Sequence, residues 1–423
     1  MKLPKGLRQI KPGIKRLLAA ERRRRLGGIP FIAVTGSAGK SSTVAMLDHI
    51  LSGERNGVCA AGANNSRKVV SSLRRARLDA EYFLVEVSAE RPGALDERIG
   101  LLKPNLAVVT TVGLDHKSAF RTCEAVAAEK GKLVECLPAD GIAILNADNP
   151  HVFAMASRTR ARVVTFGLAE GADVRAVDVT FTWPDRLGFT VEVRGARRRV
   201  QTRLVGKHFA PSALAAIATA LELGLSLDSC ADRLASMEPV YQRMSVHRHP
   251  TGAWFIADSY KAAAWSLAAS FAVLEGARAP RRTVVIGHLS DTAGHDQKSY
   301  SRAARAALDV ADRVVLVGEK AKYASKLLNG PEADRVTLIP RFVDFIDWLD
   351  RNLIEDEVVI LKSVSKSHLE RAFLFPRFGA FCTLDSCTKG RSCAVCSVTA
   401  GIDGLREAVL GGRSETMSQI ARS

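Results

Sequence analysis

Short apolar runs alternate with helix-like segments between residue 30 and about residue 145. The runs cover residues 31–35, 82–87, 106–112 and 141–145. Apolar runs of this length, separated by amphipathic helices, are typical of buried strands in a parallel sheet with helices on both faces. We therefore predict an α/β domain with a mainly parallel sheet.

The pattern changes twice further along the chain. A region around the turn Trp183-Pro184-Asp185 alternates apolar and polar positions, which predicts a small antiparallel β appendage. Its runs are 174–181, 188–193 and 198–204. After a predicted helix over 211–223, strand-like runs again alternate with helices, which predicts a second, Rossmann-like α/β domain. Those runs are 255–257, 283–286, 313–317 and 358–361.

Positive charge is concentrated at the N-terminus. The 423 residues carry a formal net charge of +17, and residues 1–25 contribute +9 through ten Lys and Arg against one acid, Glu21. Such an excess favours polyanionic partners, but the remaining chain is only moderately basic, so we expect no nucleic acid partner. Residues 1–25 are expected either to contact an anionic membrane as a short amphipathic helix or to present a solvated basic face.

Composition indicates a globular protein of a reducing compartment. Hydrophobic residues make up 47% and charged residues 25% of the chain, which excludes a mainly disordered or fibrous protein. The longest apolar run near the N-terminus, residues 29–34, is too short for a signal peptide or a membrane span, so we expect a cytoplasmic location. Four of the eight cysteines are scattered in apolar contexts, where buried thiols are expected.

The other four cysteines cluster near the C-terminus and end in a C-x-x-C pair. They are Cys382, Cys387, Cys393 and Cys396. This arrangement is similar to a zinc knuckle or half of a zinc ribbon, although its first spacing is wider than usual. Zn²⁺ ligation and reduced or reversibly oxidised thiols are the two alternatives.

A strand, a glycine-containing turn and the start of a helix follow one another at residues 31–42. The residues after the strand are Gly36, Ser37, Ala38, Gly39, Lys40, Ser41 and Ser42. Backbone N–H groups at such a helix start bind phosphate, the lysine neutralises the outer phosphates, and the serine that follows it ligates Mg²⁺. Val34 stands where the strict motif has its first glycine, so this is a looser form of the phosphate loop.

Two residues that follow other predicted strands supply further metal ligands. Glu86 ends one apolar run, and a carboxylate at the C-terminal edge of a sheet can reach a bound metal. His116 follows another run and the turn that begins at Gly113. Each alone is ordinarily an exposed loop residue; together with the phosphate loop they indicate a site for a nucleotide and Mg²⁺.

The order of motifs along the chain resembles the Mur ligase family, and most closely its branch that joins D-alanyl-D-alanine to a UDP-muramyl-tripeptide. The resemblance spans about residues 29 to 371, and its segments are Thr35-Gly-Ser-Ala-Gly-Lys-Ser-Ser, Glu86-Val-Ser-Ala, Asp115-His116, Ala128-Glu-Lys130-Gly, Leu145-Asn-Ala-Asp148, Gly206-Lys-His208, Arg243 and Ala257-Asp258-Ser-Tyr260. It implies a central P-loop ATPase domain at 29–243 and a Rossmann-like ligase domain at 244–376. A basic segment at 1–28 and a cysteine-containing tail at 377–423 flank them.

Carried over residue by residue, the resemblance implies ATP and Mg²⁺ as cofactors. ATP phosphates would lie on residues 36–42, with the catalytic set Lys40, Glu86, His116 and Lys130. The metal ligands would be Ser41, Glu86, His116 and a carbamylated Lys130 that supports a second Mg²⁺. Further nucleotide contacts would come from Asn146, Arg243 and Asp258.

Several departures point to a rebuilt acceptor side. Phe209 stands where the family has an adenine-contacting Asn, Lys261-Ala-Ala-Ala follows Tyr260, and His288 replaces an acidic residue. Only a short basic segment precedes the phosphate loop, where family members carry a UDP-sugar-binding domain. A peptide or polyamide substrate is therefore expected, with anion-binding candidates Lys261, Arg281, Arg282, Lys362 and Lys366.

The expected activity is ATP-dependent amide formation through an acyl phosphate. A carboxylate substrate, which is an amino acid, a peptide or a polyamide, is joined to an amine with release of ADP and phosphate. One alternative is a P-loop kinase or NTPase that forms no amide. Another is a nucleotide-gated binding protein without catalysis. Oligomeric state and substrate identity are left open.

Overall fold

The computed structural model describes residues 12–63, 65–292 and 294–378, together with Cys382, Leu384, Cys387, Cys393 and Cys396. The chain divides into two compact units. Of the described residues, the first unit takes those up to Val177, Val191–Arg198 and Pro211–Leu234. The second takes Asp178–Thr190, Arg199–Ala210 and those from Ala235 onward.

The first sheet has nine strands in the order β2-β3-β1-β4-β5-β6-β7-β8-β9. The strands are β1 (Phe31–Thr35), β2 (Gly57–Ala60), β3 (Tyr82–Glu86), β4 (Leu106–Val109), β5 (Ile142–Asn146), β6 (Arg162–Gly167), β7 (Val174–Thr180), β8 (Gly188–Val193) and β9 (Ala196–Gln201). Pairing from β2 to β6 is parallel throughout. The β-rich region predicted as an appendage forms β7, β8 and β9, which continue this same sheet.

Helices α1 to α8 accompany these strands along the chain. They are α1 (Pro12–Arg25), α2 (Lys40–Leu51), α3 (Ser66–Arg75), α4 (Ala94–Leu102), α5 (Cys123–Glu135), α6 (Pro150–Phe153), α7 (Ala210–Glu222) and α8 (Leu227–Ser236). β1 is buried along its whole length between β3 and β4, and Phe31 stacks on its register partner Phe83 with ring centroids 4.9 Å apart. The loop after β1 therefore leaves the sheet where strand order reverses, which is where α/β sheets bind ligands.

The second unit contains a six-stranded sheet in the order β10-β11-β15-β12-β13-β14. Its strands are β10 (Ser245–Arg248), β11 (Trp254–Asp258), β12 (Arg282–Ile286), β13 (Arg313–Val317), β14 (Val336–Ile339) and β15 (Val358–Lys362). Its helices are α9 (Leu267–Phe271), α10 (Asp296–Leu308), α11 (Phe342–Asn352) and α12 (Arg371–Phe378). Only the β10–β11 pair is antiparallel among the pairings in this sheet.

The predicted α/β fold is confirmed, and every predicted strand is present. Four strands were not predicted: β2, β6, β10 and β14. Three of these lie at sheet edges, where partly exposed positions interrupt the continuous apolar run that marks a buried strand. Among the described residues no helix combines the length and apolarity needed to cross a bilayer.

Helix α1 is held against the rest of the first unit by hydrogen bonds from its arginines. Ala19 is buried, Arg22 Nε donates to Ala76 O at 2.7 Å, and Arg23 Nε donates to Leu102 O at 2.5 Å. The guanidinium of Arg23 also lies 3.7 Å from the centroid of the Phe31 ring. Two of the basic residues predicted as a solvated face therefore hold the helix in place.

Candidate nucleotide and metal site

The turn that follows β1 is held closely against the end of β4. Ser37 N donates to Thr111 O at 2.8 Å, and Thr110 Oγ1 donates to Ala38 O at 2.5 Å. Gly36 has φ 150°, and a Cβ there would lie 2.0 Å from Thr110 Oγ1. The close approach and the backbone conformation both require glycine.

The start of α2 presents backbone N–H groups at this turn. Gly39, at φ 82°, is the N-cap residue of α2, and as a glycine it has no side chain that could cap the helix. N–H groups at the start of a helix attract an anion, and the helix dipole adds to the attraction. Lys40 Nζ donates to Gly36 O, so the lysine folds over the turn where phosphate would lie.

Ser41 and Glu86 place two oxygen ligands beside the turn. Ser41 Oγ donates to Glu86 Oε2 at 2.7 Å, and both residues are buried. Strand pairing sets this geometry because Glu86 is the register partner of Val34, two residues before the turn. Gly62 N also donates to Glu86 Oε2, at 3.3 Å. Hydroxyl and carboxylate oxygens are the donors Mg²⁺ prefers, so the residues present fit that ion.

His116 is tied to the phosphate loop through its own turn. Ser37 Oγ donates to Gly113 O at 3.0 Å, and this turn leads directly to Asp115 and His116. His116 has φ 51°, and its Nε2 lies 3.5 Å from Asp115 Oδ2. Asp115 is buried at 1% exposure whereas the histidine ring is about one-third exposed. The buried carboxylate can therefore orient the more accessible imidazole.

Lys130 is buried in α5 at 1% exposure, which excludes its ordinary interpretation as an exposed lysine. Its neighbour Glu129 accepts from Gly93 N and Leu95 N, each at 3.0 Å, and so holds the start of α4. Lys132, in contrast, pairs with Glu129 and Asp96 near the surface. Of these two lysines, only Lys130 lies in the interior.

Asn146 ends β5 at the same edge of the sheet. Its Nδ2 donates to Thr110 O at 2.7 Å, and its Oδ1 accepts from Asp148 N at 2.9 Å. The side chain thus joins the ends of β4 and β5. Its contact with a nucleotide stays a prediction.

In the second unit, Asp258 and Lys362 end neighbouring strands and are register partners. Their side chains form a 2.5 Å ion pair, and Ser270 Oγ donates to Asp258 Oδ2 at 2.6 Å. Burial opposes ionisation of Asp258, but Lys362 and Ser270 outweigh it and lower the pKa of the carboxyl. Arg243 is the other predicted nucleotide contact of this unit. Its guanidinium carbon lies 4.2 Å from the centroid of the Tyr260 ring.

Three of the predicted anion-binding residues are held by carboxylates of the same unit. Lys362 pairs with Asp258 as described, Arg281 pairs with buried Glu357 at 2.6 Å, and Arg282 pairs with Asp312 at 2.6 Å. Their charge is largely compensated within the fold. Lys366 instead lines a cavity.

That cavity, of about 530 Å³, lies beyond the C-terminal ends of β12 and β13. The charged and imidazole groups of its lining belong to Glu319, Lys320, Lys366 and His288, and Tyr300 and Phe342 contribute aromatic rings. Burial is the main cause that lowers the pKa of His288, and the nearby Lys320 lowers it further. Two ammonium groups and one carboxylate therefore line the cavity, and Lys320 is also paired with Asp296 at 3.0 Å.

The chain matches two domain families. The Mur ligase middle domain covers residues 34–220, and the Mur ligase, glutamate ligase domain covers residues 242–364. The UDP-N-acetylmuramoyl-tripeptide--D-alanyl-D-alanine ligase of Escherichia coli K12 is 30% identical over 317 residues, which are 73% of this chain and 70% of that protein. The chain belongs to the Mur ligase family. The resemblance inferred from the motif order is confirmed.

Other relatives of this Mur ligase chain carry the same description. The Mycobacterium bovis protein is 33% identical over 301 residues, and the match covers 69% of this chain. The chain spans about three fifths of that relative, since the match covers 59% of its length. Two solved structures, each 22% identical in sequence, show the shared fold. MurF from Thermotoga maritima in complex with ADP has a TM-score of 0.73, and the match covers 88% of this chain and 86% of that one. MurF from Acinetobacter baumannii has a TM-score of 0.77, and the match covers 85% of this chain and 79% of that one.

Sequence reasoning on this Mur ligase did not identify the residues that hold its site residues in place. Thr110 and Thr111 fix the phosphate loop, and Gly62 N–H holds Glu86. Thr110 and Thr111 lie in an apolar run that predicted only a strand. Two threonines at the end of a buried strand, beside the strand that carries the phosphate loop, are the signal that could have shown their role.

His208 gives a pH-dependent prediction. Burial lowers its pKa to about 4, below the ordinary value of about 6.5. The unfolded chain therefore binds the proton more readily, and the free energy of unfolding should fall between about pH 6.5 and 4, by up to about 3 kcal/mol from this group.

Thermal unfolding of the wild type and His208→Gln from pH 4 to 7 measures this contribution. The variant should lose less stability on acidification, whereas His295→Gln, at an exposed histidine, should follow the wild type. Parallel pH profiles for the wild type and His208→Gln would contradict the prediction.

Proposed function

We propose that this chain is an ATP-dependent ligase that joins a carboxylate to an amine through an acyl phosphate. The observation that carries the proposal is the turn after β1, where the start of α2, the Lys40 ammonium and the Ser41–Glu86 oxygen pair meet at the C-terminal edge of the sheet. That arrangement suits the polyphosphate of ATP with Mg²⁺. Family membership supports amide formation over simple phosphoryl transfer. We place the reaction in the cytoplasm, because ATP is its co-substrate.

The residues of the chain bind and orient the reactants in this mechanism. The N–H groups at the start of α2 and the Lys40 ammonium hold the phosphates, while Ser41, Glu86 and His116 would hold Mg²⁺. When bound, Mg²⁺ neutralises charge on the phosphoryl oxygens. A substrate carboxylate oxygen attacks the γ-phosphorus and ADP leaves. The amine nitrogen then attacks the acyl carbon, phosphate leaves with the former carboxylate oxygen, and the amine gives up a proton to solvent.

We further propose that Lys130 acts as a carbamate. Its neutral amine would attack the carbon of CO₂ and lose one proton, which converts a buried cation into an anion. Burial supports the proposal, because a buried ammonium is costly and would also repel a nearby metal ion. As a carbamate, Lys130 would support a second Mg²⁺.

For the substrates we propose a peptide or polyamide carboxylate and an amine that carries its own carboxylate. The cavity supports the second part, since its lining holds the ammonium groups of Lys320 and Lys366, with which a substrate carboxylate can pair. The relatives are named for a UDP-N-acetylmuramoyl-tripeptide and D-alanyl-D-alanine. This pair is therefore one of the substrate sets to be tested.

The test measures ADP and phosphate release with ATP, Mg²⁺ and matched substrate sets. The sets are the muramyl tripeptide with D-alanyl-D-alanine, and acidic peptides with pooled amino acids. Mass spectrometry should find a new amide only when both partners are present. ADP release without an amine requirement would instead indicate a kinase or NTPase. Nucleotide binding without turnover would indicate a binding protein.

We also propose that α1 contacts anionic membrane surfaces. Ile14, Leu17 and Leu18 are exposed at 49%, 71% and 46% on neighbouring turns, next to Lys15 and Arg16. Apolar side chains flanked by cations suit an anionic lipid surface. Residues 1–11, which carry further basic residues, lie outside the described part of the chain.

Charge reversal tests this contact without disturbing the docked arginines. Lys15→Glu with Arg16→Glu should weaken binding to phosphatidylserine vesicles by about tenfold or more, and binding should weaken with salt. ATP affinity should be unchanged. Lys298→Glu, at an exposed position of the second unit, is the matched control. Equal vesicle binding by the double variant and this control would rule the contact out.

A further inference from the structure

A cluster of buried ionisable side chains lies in the second unit, between the end of β15 and the C-terminal tail. His368 is 3%, Glu370 0% and Cys393 7% exposed. Cys393 Sγ lies 3.5 Å from His368 Nδ1, which lies 3.4 Å from Glu370 Oε1. One potential ligand atom from each residue lies within 4.8 Å of the other two. The three side chains therefore converge on one point.

Two of their separations match edges of a tetrahedral zinc site. Zn–S bonds near 2.3 Å and Zn–N or Zn–O bonds near 2.0 to 2.2 Å give edges of roughly 3.6 Å between S and N and roughly 3.4 Å between N and O. The observed 3.5 Å and 3.4 Å agree with both edges. The 3.4 Å imidazole–carboxylate distance is long for a direct hydrogen bond.

An unsatisfied carboxylate oxygen in the cluster also points to a cation. Within the described part of the chain, Glu370 Oε2 is buried without a hydrogen-bond partner. A buried carboxylate is costly unless it is paired with a cation or coordinates a metal. One carboxylate, one thiolate and a neutral imidazole together balance the charge of Zn²⁺.

Arg371 connects the cluster to two residues of the tail, Cys382 and Leu384. Its Nε donates to His368 O at 3.1 Å, while its Nη1 donates to Cys382 O at 2.9 Å and Leu384 O at 2.7 Å. The guanidinium thus holds the backbone carbonyls of Cys382 and Leu384. Cys393 N completes the attachment by donating to Glu370 Oε1 at 3.2 Å.

We propose that His368, Glu370 and Cys393 supply three of the four ligands of a structural Zn²⁺ ion that fastens the tail to the second unit. This site revises the ligand set expected from the sequence. Cys393 is kept, but His368 and Glu370 take the places expected for Cys382 and Cys387. The Sγ of Cys382 lies 3.9 Å from Arg371 Nη1, so it faces a cation. The inference is independent of the ligase reaction.

Metal analysis of the full chain, purified anaerobically without chelators, tests the site. We expect about one zinc per chain in the wild type, and its loss in both His368→Ala and Cys393→Ser. Cys387→Ser is the matched control within the tail and should keep the metal. Co²⁺ substitution gives a second readout, because the thiolate charge-transfer band should disappear in Cys393→Ser and persist in Cys387→Ser.

Three results would overturn the assignment. They are a wild type without zinc, zinc retained by His368→Ala, and zinc lost from Cys387→Ser, which would indicate the all-cysteine set. A folding defect is separated by a thermal-shift titration with Zn²⁺ alone. Added Zn²⁺ should raise the melting temperature of metal-stripped wild type and leave that of metal-free His368→Gln unchanged. An equal shift in both proteins would also contradict the proposal.

Discussion

Lys40→Ala is expected to lower the rate of ATP turnover by about 10²-fold or more. The lysine folds over the turn after β1, and without it the charge that develops on the γ-phosphoryl group is left without its ammonium partner. Losing one such contact in a partly dehydrated site removes several kcal/mol of transition-state stabilisation. Steady-state ADP release under saturating ATP and Mg²⁺, with the carboxylate and amine substrates present, measures the effect.

The control for this loss is Lys298→Ala, which removes an exposed lysine from the second unit and should leave turnover unchanged. Because Lys40 also bonds to Gly36 O, the melting temperatures of both variants should be compared with that of the wild type. Near-normal turnover by a folded Lys40→Ala protein would refute the assignment of this loop to ATP.

Lys130→Ala is expected to reduce turnover by about 10²-fold, and small carboxylates such as acetate should restore part of it. The substitution removes the proposed carbamate and leaves space in a buried position, where a carboxylate can supply the missing anion. Wild-type activity should rise with added bicarbonate. Lys130→Arg should remain inactive, because a guanidinium keeps the positive charge that the carbamate removes.

Lys132→Ala separates this effect from a general disturbance of α5. Lys132 lies on the same helix and pairs with Asp96 and Glu129, so its loss should cost little activity. Full activity in Lys130→Ala, or wild-type behaviour of Lys130→Arg, would assign Lys130 to a purely structural role.

The order of secondary structure and the phosphate loop could be predicted from the sequence. Buried strands such as β1 and β13 each contain four consecutive apolar residues, so their pattern alone identifies them. The loop could be recognised because its function depends on local residues: glycines at the turn, then Lys40 and Ser41 at the helix start. Family membership followed from the order of such local motifs, which needs no knowledge of distances.

Contacts between residues distant in sequence were decided by the tertiary structure. The pairing of β1 with β3 brings Ser41 to Glu86, 45 residues away in the chain, and the packing of α5 buries Lys130 while Lys132 stays near the surface. The cysteine spacing left Zn²⁺ ligation by four cysteines and free thiols as alternatives, whereas the fold places Cys393 beside His368 and Glu370. The local sequence determines which secondary structure each segment favours. The burial of a side chain and the set of residues that can bind one ligand depend on which segments pack together. Those contacts form only when the strands pair into sheets.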